Sequence, residues 1–343
     1  MISKFPLLRA PHLVLAVLIN QIKLGDLITL SLCSKNMFRL IQFHRTNTKS
    51  TTLALARSND IDYALGYIRK VDRQVIGKEL LIASRIEDQS SEKTEPVKVG
   101  NQCVPVMIDK KRRCLRSFWV DQVKGFQAMI SHVTKLLKRD IEMVFIDVGS
   151  LWMIDWIKTV QTGLRVAHIG LTESFTEEQY VHALENCEAK ILMLNAKPPQ
   201  SFKHKNEFPD RKFVSFKHGF WITLENLLNM KSSCVHIRES KLTTADMNAF
   251  LKYWLSGGSP HLKFLFIQIY GDVEALYSGL EDKMMPIQNR REFDLNLDYQ
   301  EPVHFVKSVE IRQENGNRVT FFYFRATTTL QMVVGDDFVE RTQ

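Results

Sequence analysis

Two histidines are the side chains best placed for chemistry in this chain of 343 residues. His168 and His236 occupy corresponding positions in two strand-like segments, so a metal-binding or catalytic pair is one interpretation. No carboxylate or cysteine accompanies them at the spacing of a zinc site, which favours two surface-lining histidines instead. The cysteines are scattered without a Cys-x-x-Cys pair, which favours a reducing compartment. They are Cys33, Cys103, Cys114, Cys187 and Cys234.

The motifs that usually position catalytic groups are missing from the sequence. It has no GxGxxG or Walker phosphate loop, no HExxH helix and no GxSxG nucleophile elbow. The glycine turn at residues 256–260 lacks the lysine that a phosphate cradle needs. We therefore expect a non-catalytic protein that holds no metal and no cofactor.

The net charge of +8 raises the question of nucleic-acid binding. Residues 1–50 carry seven Lys or Arg against one acid, and residues 110–113 form a second basic cluster. An acidic protein partner explains the first patch as well as DNA does, because complementary charge speeds encounter with either. The second patch is either a nuclear-localisation signal or the solvated turn of a hairpin, which we favour. Nucleic-acid binding is the alternative hypothesis.

Size and composition indicate a globular protein of two or three domains, with 45% hydrophobic and 24% charged residues. No apolar run approaches the roughly 20 residues that cross a bilayer. The longest, at residues 13–19, has no small-residue cleavage site after it. We therefore expect an intracellular protein, cytoplasmic or nuclear, without membrane contact.

Three short helical patterns occupy the first 44 residues. Leu13, Val17 and Leu18 share one face of the first pattern, and Asp26 and Ser34 are placed to cap the second and third. Helices this short cannot bury a stable core alone, so their remaining apolar surface predicts a partner protein.

The rest of the chain alternates between two patterns. Period-two alternation over residues 50–119 predicts an antiparallel β meander. Strand-like segments then recur every 21 to 30 residues, with helical stretches between them that start at Ser150, Thr176, Thr223 and Thr244. This period predicts leucine-rich-repeat-like strand–helix units, with an ordinary parallel α/β sheet as the alternative. Asn315-Gly316, between alternating runs, predicts a hairpin near the C-terminus.

Two segments resemble parts of a known family. Phe-Pro-Leu-Leu at Phe5, followed by Asp-Leu-Ile-Thr-Leu-Ser-Leu-Cys-Ser-Lys at Asp26, resembles a nematode-type F-box that ends near Ile41. The match departs at Ala10, where a leucine is usual, and in the third helix, which lacks the tryptophan of many F-boxes. Residues 242–269, LTTADMNAFLKYWLSGGSPHLKFLFIQI, resemble the core of the type 2 F-box-associated domain.

The resemblance implies a substrate-recognition subunit of a Skp–cullin–F-box ubiquitin ligase. Such a subunit binds a Skp-family adaptor, which links it to a cullin scaffold. It also holds a target protein near an enzyme that carries ubiquitin. An F-box protein that acts outside ubiquitin ligation is a further alternative. The residues expected to contact the adaptor, or to position those contacts, are Pro11, Leu13, Leu15, Leu18, Ile19, Leu27, Leu30 and Leu32.

A target-binding surface follows from strand alternation, since residues between the buried ones point to the opposite face of the sheet. If helices cover only one face, the other is open to a protein partner. Alternatively, the terminal β elements cover it. The predicted open-face residues are Phe145, Asp147, His168, Met193, Asn195, Ser215, Lys217, His236, Arg238, Gln268 and Tyr270.

The predicted fold is α+β or α/β in four segments. Residues 1–45 form a three-helix F-box, and residues 46–120 form the antiparallel meander. Residues 121–272 form the leucine-rich-repeat-like units, which include the F-box-associated core. Residues 273–343 form a linker and the C-terminal β hairpin.

Overall fold

A computed structural model describes residues 10–45, 52–58, 62–71, 74–89, 93–170, 173–294, 302–335 and 338–341. The chain divides into two compact units, Met1–Ser150 and Leu151–Gln343. The start of the F-box resemblance at Phe5 lies outside the described residues. The four predicted segments stay a prediction.

The first unit combines helices with strands. Its helices are α1 (His12–Gln21), α2 (Leu24–Cys33), α3 (Lys35–His44) and α4 (Gln122–Leu137). Its strands are β1 (Thr52–Ser58), β2 (Asp62–Val71), β3 (Gln74–Arg85), β4 (Glu95–Val99), β5 (Gln102–Asp109), β6 (Cys114–Trp119) and β7 (Met143–Ile146).

The strands of the first unit neighbour one another in the order β7-β1-β2-β3-β6-β5-β4. Most of these pairs are antiparallel, as the alternation predicted. The prediction of a purely antiparallel meander is wrong at β3, which pairs with β6 in parallel. The chain leaves β3 for the far edge at β4 and returns through β5. Local alternation carries no information about that crossing.

Helix α4 is amphipathic and supplies much of the core of the first unit. The Asp121 carboxylate accepts the N–H of Lys124 at 3.0 Å and so caps its first turn. Apolar residues then recur every three or four positions and are buried, which places them on one face. They are Phe126, Met129, Ile130, Val133, Leu136 and Leu137.

The second unit has more strands than helices. Its helices are α5 (Trp152–Val160), α6 (Glu177–Asn186), α7 (Leu224–Asn229), α8 (Thr244–Leu255) and α9 (Val273–Tyr277). Its strands are β8 (Leu164–Ile169), β9 (Ala189–Leu194), β10 (Phe213–Phe216), β11 (Cys234–Ile237), β12 (Phe264–Gln268), β13 (Met285–Ile287), β14 (Arg290–Phe293), β15 (Val303–Phe305), β16 (Ser308–Arg312), β17 (Arg318–Phe324), β18 (Thr329–Val334) and β19 (Phe338–Arg341).

Strands β8 to β12 are parallel neighbours in chain order. β18, β17, β16 and β13 continue this sheet in antiparallel pairs, while β15, β14 and β19 form a small separate sheet. β16 and β17 form the predicted hairpin, and Gly316 adopts φ +90° in its turn. The α+β class is confirmed, while the leucine-rich-repeat-like character stays a prediction.

The predicted helix starts are partly confirmed. Thr176 and Thr223 form capping boxes with Gln179 and Asn226. The prediction at Thr244 is wrong by one residue, because Thr243 caps α8 and Thr244 is buried.

Two other predicted caps have different roles, while a third is confirmed. Ser150 bonds Asp147 instead of capping α5. Asp26 lies in the first turn of α2 and makes no capping bond. Ser34 caps α3, as predicted, through the N–H of Met37 at 3.1 Å.

The connection between β9 and β10 departs from the strand–helix alternation predicted for this region. Residues 195–212 contain no helix. The buried Arg211 secures the end of this connection, because its guanidinium donates to the carbonyls of Leu184 and Cys187, each at 2.7 Å. These carbonyls lie at the C-terminal end of α6, where backbone acceptors lack partners within the helix. Arg211 therefore completes α6 from a distant part of the chain.

Replacing Arg211 with Met is expected to lower the free energy of unfolding by about 2–4 kcal/mol, because it leaves buried carbonyls without donors. Urea unfolding of the full chain measures this loss. Lys190→Met, at an exposed position on β9, is the matched control. An Arg211→Met protein as stable as the control would contradict this role.

Candidate protein-interaction surfaces

Helix α1 exposes an apolar face over two turns. Leu13 is 82% exposed and Val17 62%, and Val14 and Leu18 beside them are also exposed. These residues are spaced one and four apart, so their side chains lie side by side. Exposed apolar patches of this kind mark interaction sites more often than ordinary surface. We call these four residues the α1 face.

The predicted adaptor residues divide by burial. Pro11, Leu13 and Leu18 are exposed and free to contact a partner, while Leu30 and Leu32 of α2 are half-buried. The remaining three face the protein's own core, so they can position the surface without touching a partner. These are Leu15, Ile19 and Leu27.

A second apolar feature, on α3, was missed by the sequence reasoning. Phe43 is 73% exposed, and its ring centroid lies 6.2 Å from that of His12 on α1. Together with Asn36, Arg39 and Leu40 they line a shallow depression. An aromatic residue in the last turn of α3, two positions after the buried Ile41, was the available signal.

The buried side of the N-terminal helices is fixed to α4 by a histidine. The Ser31 hydroxyl donates to the Ile28 carbonyl at 2.6 Å, so it accepts the Nε2–H of His132 at 2.7 Å. The His132 ring also packs edge-on against Phe38 of α3, with centroids 5.0 Å apart. Burial, with a smaller contribution from Lys135, lowers the pKa of His132 to about 4. A neutral imidazole therefore holds α2 and α3 in place.

In the second unit, the register aligns most of the predicted open-face residues in two rows. His168, Met193, Ser215 and His236 lie opposite one another on successive parallel strands. The second row consists of the residues two positions later along the chain, at or just after the end of each strand: Asn195, Lys217, Arg238 and Gln268. His168 and His236 are three strands apart, or roughly 14 Å, which is too far to share a metal ion. Among the described residues, no cluster of metal-binding side chains is found.

One end of the first row carries a compact cationic and aromatic cluster. The Arg238 Nε lies 3.3 Å from His236 Nε2, and the guanidinium lies 5.9 Å from the ring centroid of Phe266. The His236 ring meets Phe266 edge-on, with centroids 4.1 Å apart. Burial and the neighbouring Arg238 lower the pKa of His236 to about 4, so the ring is a neutral acceptor for Arg238. Phe266 completes the row through its pairing with His236 and was missing from the predicted set.

The open face is only partly open. Phe213, Cys234 and Phe264 project to the same side as Ser215, His236 and Phe266, yet all three are buried. This face is therefore packed at the row nearest the start of the strands, while coverage by the terminal β elements stays a prediction. The next two rows are half-buried or exposed.

Three predicted residues are not members of these rows. Phe145 and Asp147 belong to the first unit. Asp147 pairs with Arg57 at 3.1 Å and accepts the Ser150 hydroxyl, which is a structural role. Tyr270 follows β12 and is 53% exposed.

The basic tract at residues 110–113 forms the hairpin turn between β5 and β6, as favoured from the sequence. Arg112 pairs with Glu79 at 3.1 Å, so one of its four charges is already neutralised by a neighbouring strand. This half-buried pair reduces the charge that the turn offers to phosphates. The turn therefore offers weak support for nucleic-acid binding.

Residues 200–267 match the F-box associated family. The chain is 38% identical over 55 residues to E3 ubiquitin-protein ligase hecw-1 of Caenorhabditis elegans, covering 16% of this chain and 4% of that protein. It is 22% identical over 139 residues to Skn-1 dependent zygotic transcript 15 protein of the same organism, covering 37% of this chain and 40% of that protein. The chain thus spans less than half the length of either relative. No solved structure matches it.

These matches bear on the two resemblances differently. The predicted F-box-associated core at residues 242–269 overlaps the matched segment, so this part of the resemblance is confirmed. The F-box resemblance lies outside that segment. Within the part of the chain that the structure describes, no helix combines the length and apolar character needed to cross a bilayer.

The lowered pKa of His132 predicts a pH-dependent stability. Its folded pKa of about 4 lies below the unfolded value, so the unfolded chain binds more protons as the pH falls from about 6.5 toward 4. Stability present above about pH 6.5 is lost in that window. In His132→Gln, which keeps a donor for Ser31, the loss between about pH 7.5 and 5 should shrink by roughly 2 kcal/mol.

Urea unfolding at the two pH values measures this difference, with the exposed His304→Gln as a control for removing one histidine. If the two variants lose equal stability on acidification, His132 does not hold the helices as described.

Proposed function

We propose that this chain is the substrate-recognition subunit of a Skp–cullin–F-box ubiquitin ligase and performs no bond chemistry itself. The observation that carries the proposal is the match of residues 200–267 to the F-box associated family, in a chain whose N-terminal segment resembles an F-box. The receptor would act by raising the effective concentration of target lysines near an enzyme that carries ubiquitin.

The α1 face supports an adaptor-binding role for the N-terminal helices. Its apolar residues are exposed, while Leu15, Ile19 and Leu27 behind them are buried and Ser31 is tied to His132. A rigid helix that presents side-by-side apolar residues suits a groove on a partner protein. A Skp-family adaptor is the proposed partner, and a cullin scaffold would join through it. An intracellular location, cytoplasmic or nuclear, belongs to the same proposal.

The rows on the second unit support a role in target binding. The Arg238, His236 and Phe266 cluster combines an arginine with aromatic surface, which is the composition enriched where protein partners bind most tightly. Lys217 and Gln268, in the neighbouring row, add polar groups for the rim.

Replacing Leu13 and Val17 together with Asp is expected to weaken capture of a Skp-family adaptor at least about tenfold, because both side chains are exposed and would meet an apolar groove as charges. Biolayer interferometry with a purified adaptor measures the change. Val160→Asp places the same charge on an exposed apolar position of α5 and should bind normally. If the adaptor binds the double variant as tightly as the parent chain, or does not bind the parent chain, this docking surface is excluded.

Replacing His236 and Arg238 together with Ala is expected to abolish target binding and leave the fold and adaptor capture intact. The two side chains contact each other and Phe266 at the surface, so little of the core depends on them. Affinity purification from native cells with quantitative peptide identification measures both partners at once. Lys263→Ala, at an exposed position beside β12, is the control. A collapsed fold would instead assign these residues a structural role.

A further inference from the structure

The helix-free connection at residues 195–212 borders an open cleft in the second unit. Connections longer than about 12–15 residues without secondary structure are uncommon in compact proteins, and many of them carry function. This one is held at both ends. Lys197 bridges to Ser174 near its start, and the buried Arg211 fastens its end. An ordered loop of this length needs an explanation beyond connecting two strands.

Aromatic rings form the base of the cleft. Phe202 and Trp221 pack edge-on with centroids 5.0 Å apart, and Phe208 stacks on Trp221 at 6.2 Å. All three are buried, so this base is part of the core and cannot rearrange freely. The Asn226 amide donates to the His204 carbonyl at 3.0 Å and ties the loop to α7. The cleft is therefore a preformed feature of the folded unit.

Three lysines line the cleft with only one acid. Lys203 and Lys205 come from the long connection and Lys241 from the turn after β11, while Glu225 is the acidic member. The Lys241 ammonium lies 5.6 Å from the ring centroid of Phe220, which is half-buried in the wall. The lining thus offers positive charge beside apolar surface, a pairing that suits an anionic group next to an apolar one.

The base of the cleft also contains a polar group without a partner. The His204 side chain is 2% exposed, and its Nε2 has no hydrogen-bond partner among the described residues. Burial lowers the pKa of this histidine, although Glu185, 3.8 Å from Nδ1, acts in the opposite direction. A buried nitrogen left unpaired costs about 1–3 kcal/mol, and such costs are concentrated at functional sites.

Position and size agree with a binding site. The lining comes from connections that follow the carboxyl ends of the parallel strands β9, β10 and β11, the edge at which open α/β sheets bind ligands. The cleft encloses about 660 Å³, within the usual range for small ligands or a few peptide side chains. Its lining residues, 200–241, all lie inside the segment that matches the F-box associated family.

We propose that this cleft binds a short acidic segment of the target polypeptide, with an apolar side chain against Phe220 and carboxylates facing Lys203, Lys205 and Lys241. The inference rests on the proposed function for the identity of the ligand as a target protein. Three cations around one short cleft suit a few carboxylates, whereas nucleic acid needs an extended basic track. Exposed amides at Gln200 and Asn229 would pair with the peptide backbone.

The test is selection of a phage-displayed random heptapeptide library on the immobilised full chain. We expect the selected peptides to be enriched in Asp and Glu around one apolar residue. A synthetic copy of the dominant peptide should bind the purified chain, and its affinity should fall with rising salt because exposed charges are screened. A version with Gln for each acid should bind at least about tenfold more weakly.

Matched triple variants locate the site. The cleft triple variant should bind the peptide at least about tenfold more weakly; it combines Lys203→Gln, Lys205→Gln and Lys241→Gln. The control triple variant removes the same charge at exposed positions elsewhere and should bind the peptide normally; it combines Lys190→Gln, Lys252→Gln and Lys263→Gln. Absence of acidic enrichment, preference for a phosphoserine version alone, or equal loss in both triple variants would overturn the proposal.

Adaptor capture, measured on the same proteins, separates this inference from the proposed function. The cleft triple variant should capture the adaptor normally, since its lysines lie in the second unit. Peptide binding without adaptor capture by the parent chain would contradict the ligase role and leave the cleft assignment standing. If the parent chain captures the adaptor but selects no acidic peptide, only the cleft assignment is contradicted.

Discussion

Alternation along the parallel strands is the constraint on which the second unit depends. In β11, Val235 and Ile237 are buried between sheet and helices, so His236 and Arg238 must project to the other side. The same constraint acts in β8, β9 and β10, and the parallel register aligns the projecting residues across strands. A continuous surface row is thus a consequence of core formation. The side chains on that row are what remains free to differ for function.

Surface formation in the first unit follows a different rule. Three ten-residue helices cannot bury a core by themselves, so α2 and α3 pack on α4, where His132 donates to the Ser31 hydroxyl and packs against Phe38. Burying Leu27 and Ile28 against this support leaves the outer side of α1 exposed among the described residues. The exposed α1 face is therefore compatible with a stable fold and available for a second protein.

The sequence predicted elements well where the signal was local. The helix starts at Thr176 and Thr223, the turn at Gly316 and the row from His168 to His236 all follow from spacing and residue type. Predictions that required long-range information were wrong or missing. The parallel pairing of β3 with β6 depends on a crossing between distant segments. Arg211 was not identified, because its acceptors lie about 25 residues away along the chain. The cleft depends on the same kind of contact, so no local pattern indicated it.

The proposed function requires one chain to bind an adaptor through its first unit and a target through its second unit at the same time. Native mass spectrometry of the tagged full chain, purified from its native cells, measures this directly. We expect a complex that contains one copy of the chain, one Skp-family adaptor and one further protein bound together. Target-bound chain that consistently lacks the adaptor, or chain that carries nucleic acid in place of both proteins, would contradict it.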